Sequence, residues 1–219
     1  NAMGTCADLC ATEYEFSRED QDAFAVQSHQ RAHAAQEAGR LDDEIIPVEI
    51  NKVEYTANGP SVKKVMFDKD EGIRPESSME TLGKLPTIFK ANGTVTAASS
   101  SQVSDGASFV ILMSGDKVKE LGIKPIARFV GYKAVGVDPK LMGIGPAYAI
   151  PEVLKLTDLE VEDIDLIELN EAFASQALAS IRELGIDTDI TNVNGGAIAL
   201  GHPLGASGAI LTARLLNEM

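Results

Sequence analysis

From Thr94 onward the chain alternates apolar runs with helix-forming runs, and few architectures accept that pattern. "ASFVILMS", "IARFVGYKAVGV" and "IDLIELN" are continuous apolar stretches of the kind that suits strands buried on both faces. Between and after them lie "GDKVKELG", "GPAYAIPEVLKL" and "EAFASQALASIREL"; in the last, Phe173, Ala177, Ile181 and Leu184 share one helical face. Another helix follows Gly201, with Leu211 and Leu215 as its apolar side. Strand and helix in alternation predict a layered α/β domain over residues 94–219.

Residues 1–93 read differently. "SREDQDAFAVQSHQRAHAAQEAGR" predicts a long helix with Ser17 as N-cap, acidic residues in the first turn and Gly39 placed to end it. His29 and His33 stand four apart on it with no third ligand nearby, so they read as two exposed polar residues. "DEIIPVEI" and "KKVMFDKD" suit short strands, while "TANGPS" and "DEGIRPESSM" suit turns. The front of the chain, to about Phe89, therefore reads as a helical, loop-rich appendage, and long excursions of that kind are often functional. The opening "NAM" reads as an expression scar, with natural sequence starting at Met3.

Charge and composition exclude some functions. With 33 acidic against 19 basic residues the net charge is −14, the wrong sign for neutralising a nucleic-acid backbone. Aromatics are 5% with no Trp, which opposes a base-stacking platform. No nucleic-acid partner is expected. Cys6 and Cys10, four apart, read as small buried thiols of a reducing compartment rather than a metal site. No apolar run is long enough to span a bilayer, so the expectation is a cytoplasmic protein with no membrane partner.

In layered α/β proteins chemistry gathers where strands give way to helices. Asn170 follows a strand-like run and Glu171 opens the next predicted helix. The asparagine suits a helix N-cap, or an amide directed at a ligand or a fixed water. His202 lies between Gly201 and Gly205, just ahead of a predicted helix, where the dipole disfavours imidazolium. A histidine held by glycines and proline suits a general base or an oxyanion donor. "GHPLGASG" and "MGIGPA" are neither dinucleotide nor P-loop fingerprints, and there is no Gly-x-Ser-x-Gly elbow at His202.

"NVNGGAIALGHPLGASGA" resembles the thiolase signature, and "NEAFA" beside it completes a specific pair. "MGTCAD", "SREDQDAFAVQSHQRA", "RPESSMETLGKLPTIF", "GTVTAASSSQVSDGASFVILMS" and "MGIGPAYAIP" agree in order, so the resemblance runs from Met3 to Met219. Within the family it is greatest for the biosynthetic, acetyl-CoA acetyltransferase type; a degradative 3-ketoacyl-CoA thiolase and a non-catalytic CoA-binding or interaction module are the alternatives. The resemblance implies Claisen condensation of two acetyl-CoA to acetoacetyl-CoA and CoA, or the reverse thiolysis, in fatty acid metabolism. It implies no permanently bound cofactor and no metal; CoA and acyl-CoA are substrates.

Residue by residue, His202 resembles the histidine that activates the nucleophilic cysteine and then holds the thioester oxygen. Asn170 resembles the asparagine that fixes a water in the same oxyanion hole. Ser101 resembles the serine that meets the pantetheine chain, and Met3 a residue beside its path. Met142 and Phe173 resemble residues that shape the acyl pocket. Residues 1–93 correspond to a lid over CoA, and 94–219 to a truncated C-terminal α/β domain. "ASSS", Ala98 to Ser101, replaces the family's Gly-Asn-Ala-Ser, and Ala2 replaces a histidine. The family's two reactive cysteines match neither Cys6 nor Cys10. The resemblance thus implies a fragment, inert alone, of a parent expected as a homodimer or homotetramer.

Overall fold

The computed structural model describes residues 2–57 and 59–219, so Asn1 of the "NAM" stretch lies outside the described residues. The helices begin where their caps dictate. The Ser17 hydroxyl accepts from the Asp20 N–H at 3.0 Å, and the Asp20 carboxylate accepts from the Ser17 N–H at 2.8 Å. This reciprocal box starts α2 (Arg18–Glu37), and Gly39 leaves it at φ +73°. Ahead of it runs α1 (Met3–Glu13). The later helices are α3 (Met79–Gly83), α4 (Gly115–Leu121), α5 (Gly145–Thr157), α6 (Ala174–Leu184), α7 (Ala197–Leu200) and α8 (Ser207–Glu218).

The core is built around α6. Its Ala174, Ser175, Ala177, Ala179 and Ser180 are fully buried. On one side lies α1, presenting Cys6, Ala7, Cys10 and Ala11, and on another lies α2, presenting Ala25, Ser28 and Ala32. Cys6 and Cys10 are buried free thiols, as expected from their sequence. A 3-10 turn over Pro139–Ile144 packs against both α1 and α6. His29 departs from expectation. It is buried, and its Nδ1 accepts the Arg74 N–H at 3.2 Å, because the loop after residue 67 folds back over this face of α2.

The two short strands expected in the front part are present, shifted toward the turn that joins them, whereas the longer apolar runs depart further. β1 (Val48–Thr56) and β2 (Gly59–Phe67) form an antiparallel hairpin with Val48 opposite Phe67 and Val53 opposite Val62. The apolar runs expected as buried strands are not strands. Residues 101–114 and 123–138 form no ladder among the described residues, and Phe109 and Ile111 are 88% and 85% exposed. A strand exists only through a neighbour's N–H and C=O groups, and no described segment lies alongside to supply them. "IDLIELN" retains one parallel bridge, Ile167 to Thr191, flanked by 2.9 Å bonds from Ile167 N to Ile190 O and from Asn192 N to Ile167 O.

In hydrogen–deuterium exchange of the chain, amides of residues 106–113 and 126–137 are expected to exchange at close to unprotected rates. Those of α2 and α6 should be protected; protection throughout 106–113 would contradict the unpaired state.

Beneath α8, Arg214 pairs with Glu44 at 3.2 Å in a buried contact. Near this pair the Glu168 carboxyl is pushed up to about 7, first by burial, with Glu171, Glu44 and Glu218 adding and Arg214 opposing. Between about 4.5 and about 7 the folded chain therefore keeps a proton that the unfolded chain has lost. The contribution of this group to stability falls as pH rises through that window. Glu168→Gln should flatten the fall in urea midpoint across it; an unchanged slope would assign the pH dependence to other groups.

Candidate active site

The parallel bridge at Ile167 is extended by a side chain. The Asn192 carboxamide accepts the Leu169 N–H at 2.8 Å and donates to the Leu169 C=O at 2.8 Å, as a neighbouring strand would. Asn192 sits at φ +47°, a left-handed conformation that asparagine tolerates. Its amide also donates to Glu171 Oε1 at 2.9 Å.

Glu171 does not open a helix. The helix that follows it, α6, begins only at Ala174, with Phe173 as N-cap, so Asn170 is not the cap either. The Glu171 carboxylate is fully buried. It accepts from the Ser28 hydroxyl at 2.6 Å and from the Ile198 N–H at 3.2 Å, besides Asn192. Burial raises its pKa, and these three donors pull it back. The same Ser28 oxygen accepts the Gly196 N–H at 3.1 Å. A Cβ on Gly196 would overlap the Glu171 carboxyl, which explains a glycine there.

Leu169 and Glu171 are thus both clamped, and the residue between them faces the other way. Asn170 Nδ2 lies 3.4 Å from His202 Nε2. The backbone of Asn170 is braced from α6, where Gln176 Nε2 donates to its carbonyl at 3.3 Å. His202 leaves Gly201 at φ +96°, and its N–H donates to the Gln102 carbonyl at 3.1 Å. Gln102 Nε2 in turn holds the carbonyls of Gly72, Ile198 and Ala199. The His202 pKa is lowered, and the cause is burial rather than a helix dipole, since α8 begins only at Ser207. An open cleft lined by Ser104, Asp105, Gly106 and Pro203 to Ala206 runs along the same turn.

The other expected residues surround this pair. The Ser101 N–H donates to the Ala172 carbonyl at 3.0 Å, which fixes it beside the Asn170–Phe173 segment. Phe173 meets Phe89 edge to face at 5.9 Å, and Phe89 packs flat on the backbone of Gly4, next to Met3. Met142 is 44% exposed in the 3-10 turn, and its neighbour Gly143 abuts Gln176. So Asn170 and His202 come together directly, Ser101 and Phe173 sit on the adjoining segment, and Met3 and Met142 join through neighbours. Sequence reasoning missed Glu171 as an anchor, Ser28 as its partner and Phe89 as a wall. The only signal for the first was an acid between two otherwise apolar runs.

The family models of the thiolase N-terminal domain and the thiolase C-terminal domain match residues 1–116 and 123–219. The chain belongs to the thiolase family. It is 52% identical over 219 residues to a 3-ketoacyl-CoA thiolase of Bacillus subtilis (strain 168), covering all of this chain and 56% of the relative. It superposes on the crystal structure of the Bacillus anthracis acetyl-CoA acetyltransferase with a TM-score of 0.91 at 45% identity, over 99% of this chain and 53% of that one. Human mitochondrial 3-ketoacyl-CoA thiolase in complex with CoA is similar at a TM-score of 0.88 and 46% identity, over 99% of this chain and 52% of that one. The chain spans about half the length of the relatives it matches. Among the described residues no helix is long and apolar enough to cross a membrane.

Removing the Glu171 carboxylate leaves three buried donors without an acceptor. Glu171→Ala is expected to cost about 3–5 kcal/mol of unfolding free energy, measured by urea denaturation. A loss below about 1 kcal/mol would mean that the network is not a fastening of the fold.

Proposed function

We propose that the chain carries the oxyanion-binding part of a thiolase active site, and that the whole protein moves acyl groups between CoA thioesters. The observation that carries the reading is the convergence of Asn170 Nδ2 and His202 Nε2 at 3.4 Å beside an open cleft. The lowered His202 pKa favours the neutral imidazole, the form that can take the proton of a nucleophilic thiol. Once protonated, the same nitrogen can donate to a thioester oxygen, with the Asn170 amide or a water it holds as the second donor. The acetyl unit moves onto the cysteine sulfur, and CoA leaves as the thiol with the proton that His202 took up. The second reactive cysteine takes the α-proton of a second acetyl-CoA, the enolate attacks the acyl carbon, the carbon–sulfur bond breaks, and the proton passes to the leaving cysteine sulfur as acetoacetyl-CoA departs. Donors that bind an enolate more strongly than a ketone accelerate the condensation.

In this reading Ser101 meets the pantetheine chain, Met3 borders its path, and Met142 and Phe173 shape the acyl pocket. The edge-to-face wall of Phe89 and Phe173 supports the last role. Residues 1–93 supply the cover over CoA, and 94–219 carry Asn170 and His202. The reactive cysteines come from parts of the relatives' length that this chain does not span. Cys10 is unsuited to the task, since burial pushes its thiol up to about 11 and its Sγ donates to the Ser175 carbonyl. The particular activity proposed is acetyl-CoA C-acetyltransferase, with the parent a cytoplasmic homodimer or homotetramer. The name of the Bacillus subtilis relative favours a second reading, a degradative 3-ketoacyl-CoA thiolase.

Acetoacetyl-CoA thiolysis, followed by thioester absorbance, tests the proposal in the chain and in an intact parent. The chain alone should give no turnover, and His202→Ala in the parent should lower kcat by about 10²–10⁴-fold. Turnover by the chain alone, or an active His202→Ala parent, would overturn the mechanism. Comparing C4 with longer 3-ketoacyl-CoA substrates separates the two activities, because apolar pockets discriminate chain length only gradually.

A further inference from the structure

The tautomer of His202 is determined by three contacts. The Asn170 Nδ2 is only a donor, so at 3.4 Å it can only give a hydrogen to Nε2. The proton of the neutral ring then sits on Nδ1. That nitrogen faces Ser207 Oγ at 2.5 Å, and Ser207 Oγ lies 3.0 Å from the Pro203 carbonyl oxygen, which can only accept. One arrangement satisfies all three contacts: Asn170 N–H to Nε2, Nδ1–H to Ser207 Oγ, and Ser207 O–H to Pro203 O. With Nε2 protonated instead, two donors would face each other, and the Pro203 carbonyl would give up the Ser207 hydroxyl while keeping the Ala206 and Ser207 N–H bonds.

We propose that Ser207 is a positioning residue that holds His202 in its Nδ1-protonated tautomer, leaving Nε2 as the nitrogen that takes and returns the proton. The inference rests on the role proposed above for His202. Ser207 is 8% exposed, so water does not readily replace its hydroxyl. The choice of a hydroxyl has a chemical consequence. A carboxylate at Nδ1 would also fix the tautomer, but its charge would raise the ring pKa and hold imidazolium. A hydroxyl backed by a carbonyl orients the ring without adding charge, so burial alone keeps the base neutral. When Nε2 accepts a proton, Nδ1–H and the Ser207 bond stay as they are. The ring has no need to rotate between taking the thiol proton and donating to the thioester oxygen.

The test is a two-bond 1H–15N correlation spectrum of the chain labelled with 15N-histidine, above the ring pKa. There are three histidines in the sequence, and His202 is assigned by the resonance lost in His202→Asn. The wild-type ring should show a protonated Nδ1 and an unprotonated Nε2. Ser207→Ala should shift it toward the other tautomer or an average of the two, and Ser207→Thr, which keeps the hydroxyl, should restore it. If Ser207→Ala does not fold, Ser207→Cys takes its place with the same expected direction. A wild-type ring protonated at Nε2, or a folded hydroxyl-free variant with an unshifted tautomer, would overturn the proposal.

In the intact parent, Ser207→Ala should lower kcat by about tenfold or more with KM little changed, and Ser207→Thr should recover it. An unaffected Ser207→Ala beside an inactive His202→Ala would refute the role of Ser207 alone. Full activity in His202→Ala would instead refute the reading on which it rests.

Discussion

A single buried carboxylate ties the site together. Among the described residues no cation lies within hydrogen-bonding distance of Glu171, and an isolated charge in such a place would cost several kcal/mol. Three donors from three parts of the chain meet it: the Ser28 hydroxyl on α2, the Asn192 amide after the parallel bridge, and the Ile198 N–H at the start of α7. Each donor would lose its acceptor if its own segment shifted, so the three segments hold one another in place. Asn170 is the neighbour of that anchor, and His202 follows shortly after the helix that the anchor engages. Their separation is set less by their own contacts than by the group hidden behind them.

The helix packing around this anchor relies on small side chains. α6 meets α1 mainly through alanine, serine and cysteine, so those backbones come close, while on the α2 side Phe24 packs against the cluster of Leu169, Ala177 and Ile181. Hydrogen bonds fill the gap to α1: Ser175 Oγ donates to the Ala7 carbonyl at 3.0 Å, and Cys10 Sγ to the Ser175 carbonyl at 3.7 Å. Close approach of this kind favours accurate placement, because a displaced helix has little deformable side chain to absorb the movement.

The helices were legible because their signals are local. Ser17 with Asp20, and Gly39 after α2, act within a few residues of themselves. The face Phe173, Ala177, Ile181 needs only the period of the helix, and Ala177 and Ile181 are buried as that period implies. The runs around Phe109 and Phe129 carried an equally clear apolar signal, but a strand is a property of two segments, and the second was not in view. At the site, Asn170 and His202 were legible through the thiolase motifs, and the structure brings them together. Glu171 and Ser28 were not, since their pairing spans 143 residues and neither residue type announces a partner. The neutral His202 was expected for the wrong reason: the helix expected right after it starts five residues later, and burial acts instead.

The β1–β2 hairpin stands apart from this interlocked region. Its strands pair chiefly with each other, and nearly all of their side chains are in solvent. Two-stranded ribbons of that kind are marginal alone, yet nothing in the buried network depends on this one. Residues added or removed in pairs near its tip would preserve alternation of the two faces and leave Glu171, Asn170 and His202 where they are. The arm is therefore a region in which lineages can diverge in length and surface character while the machinery at its base stays under constraint.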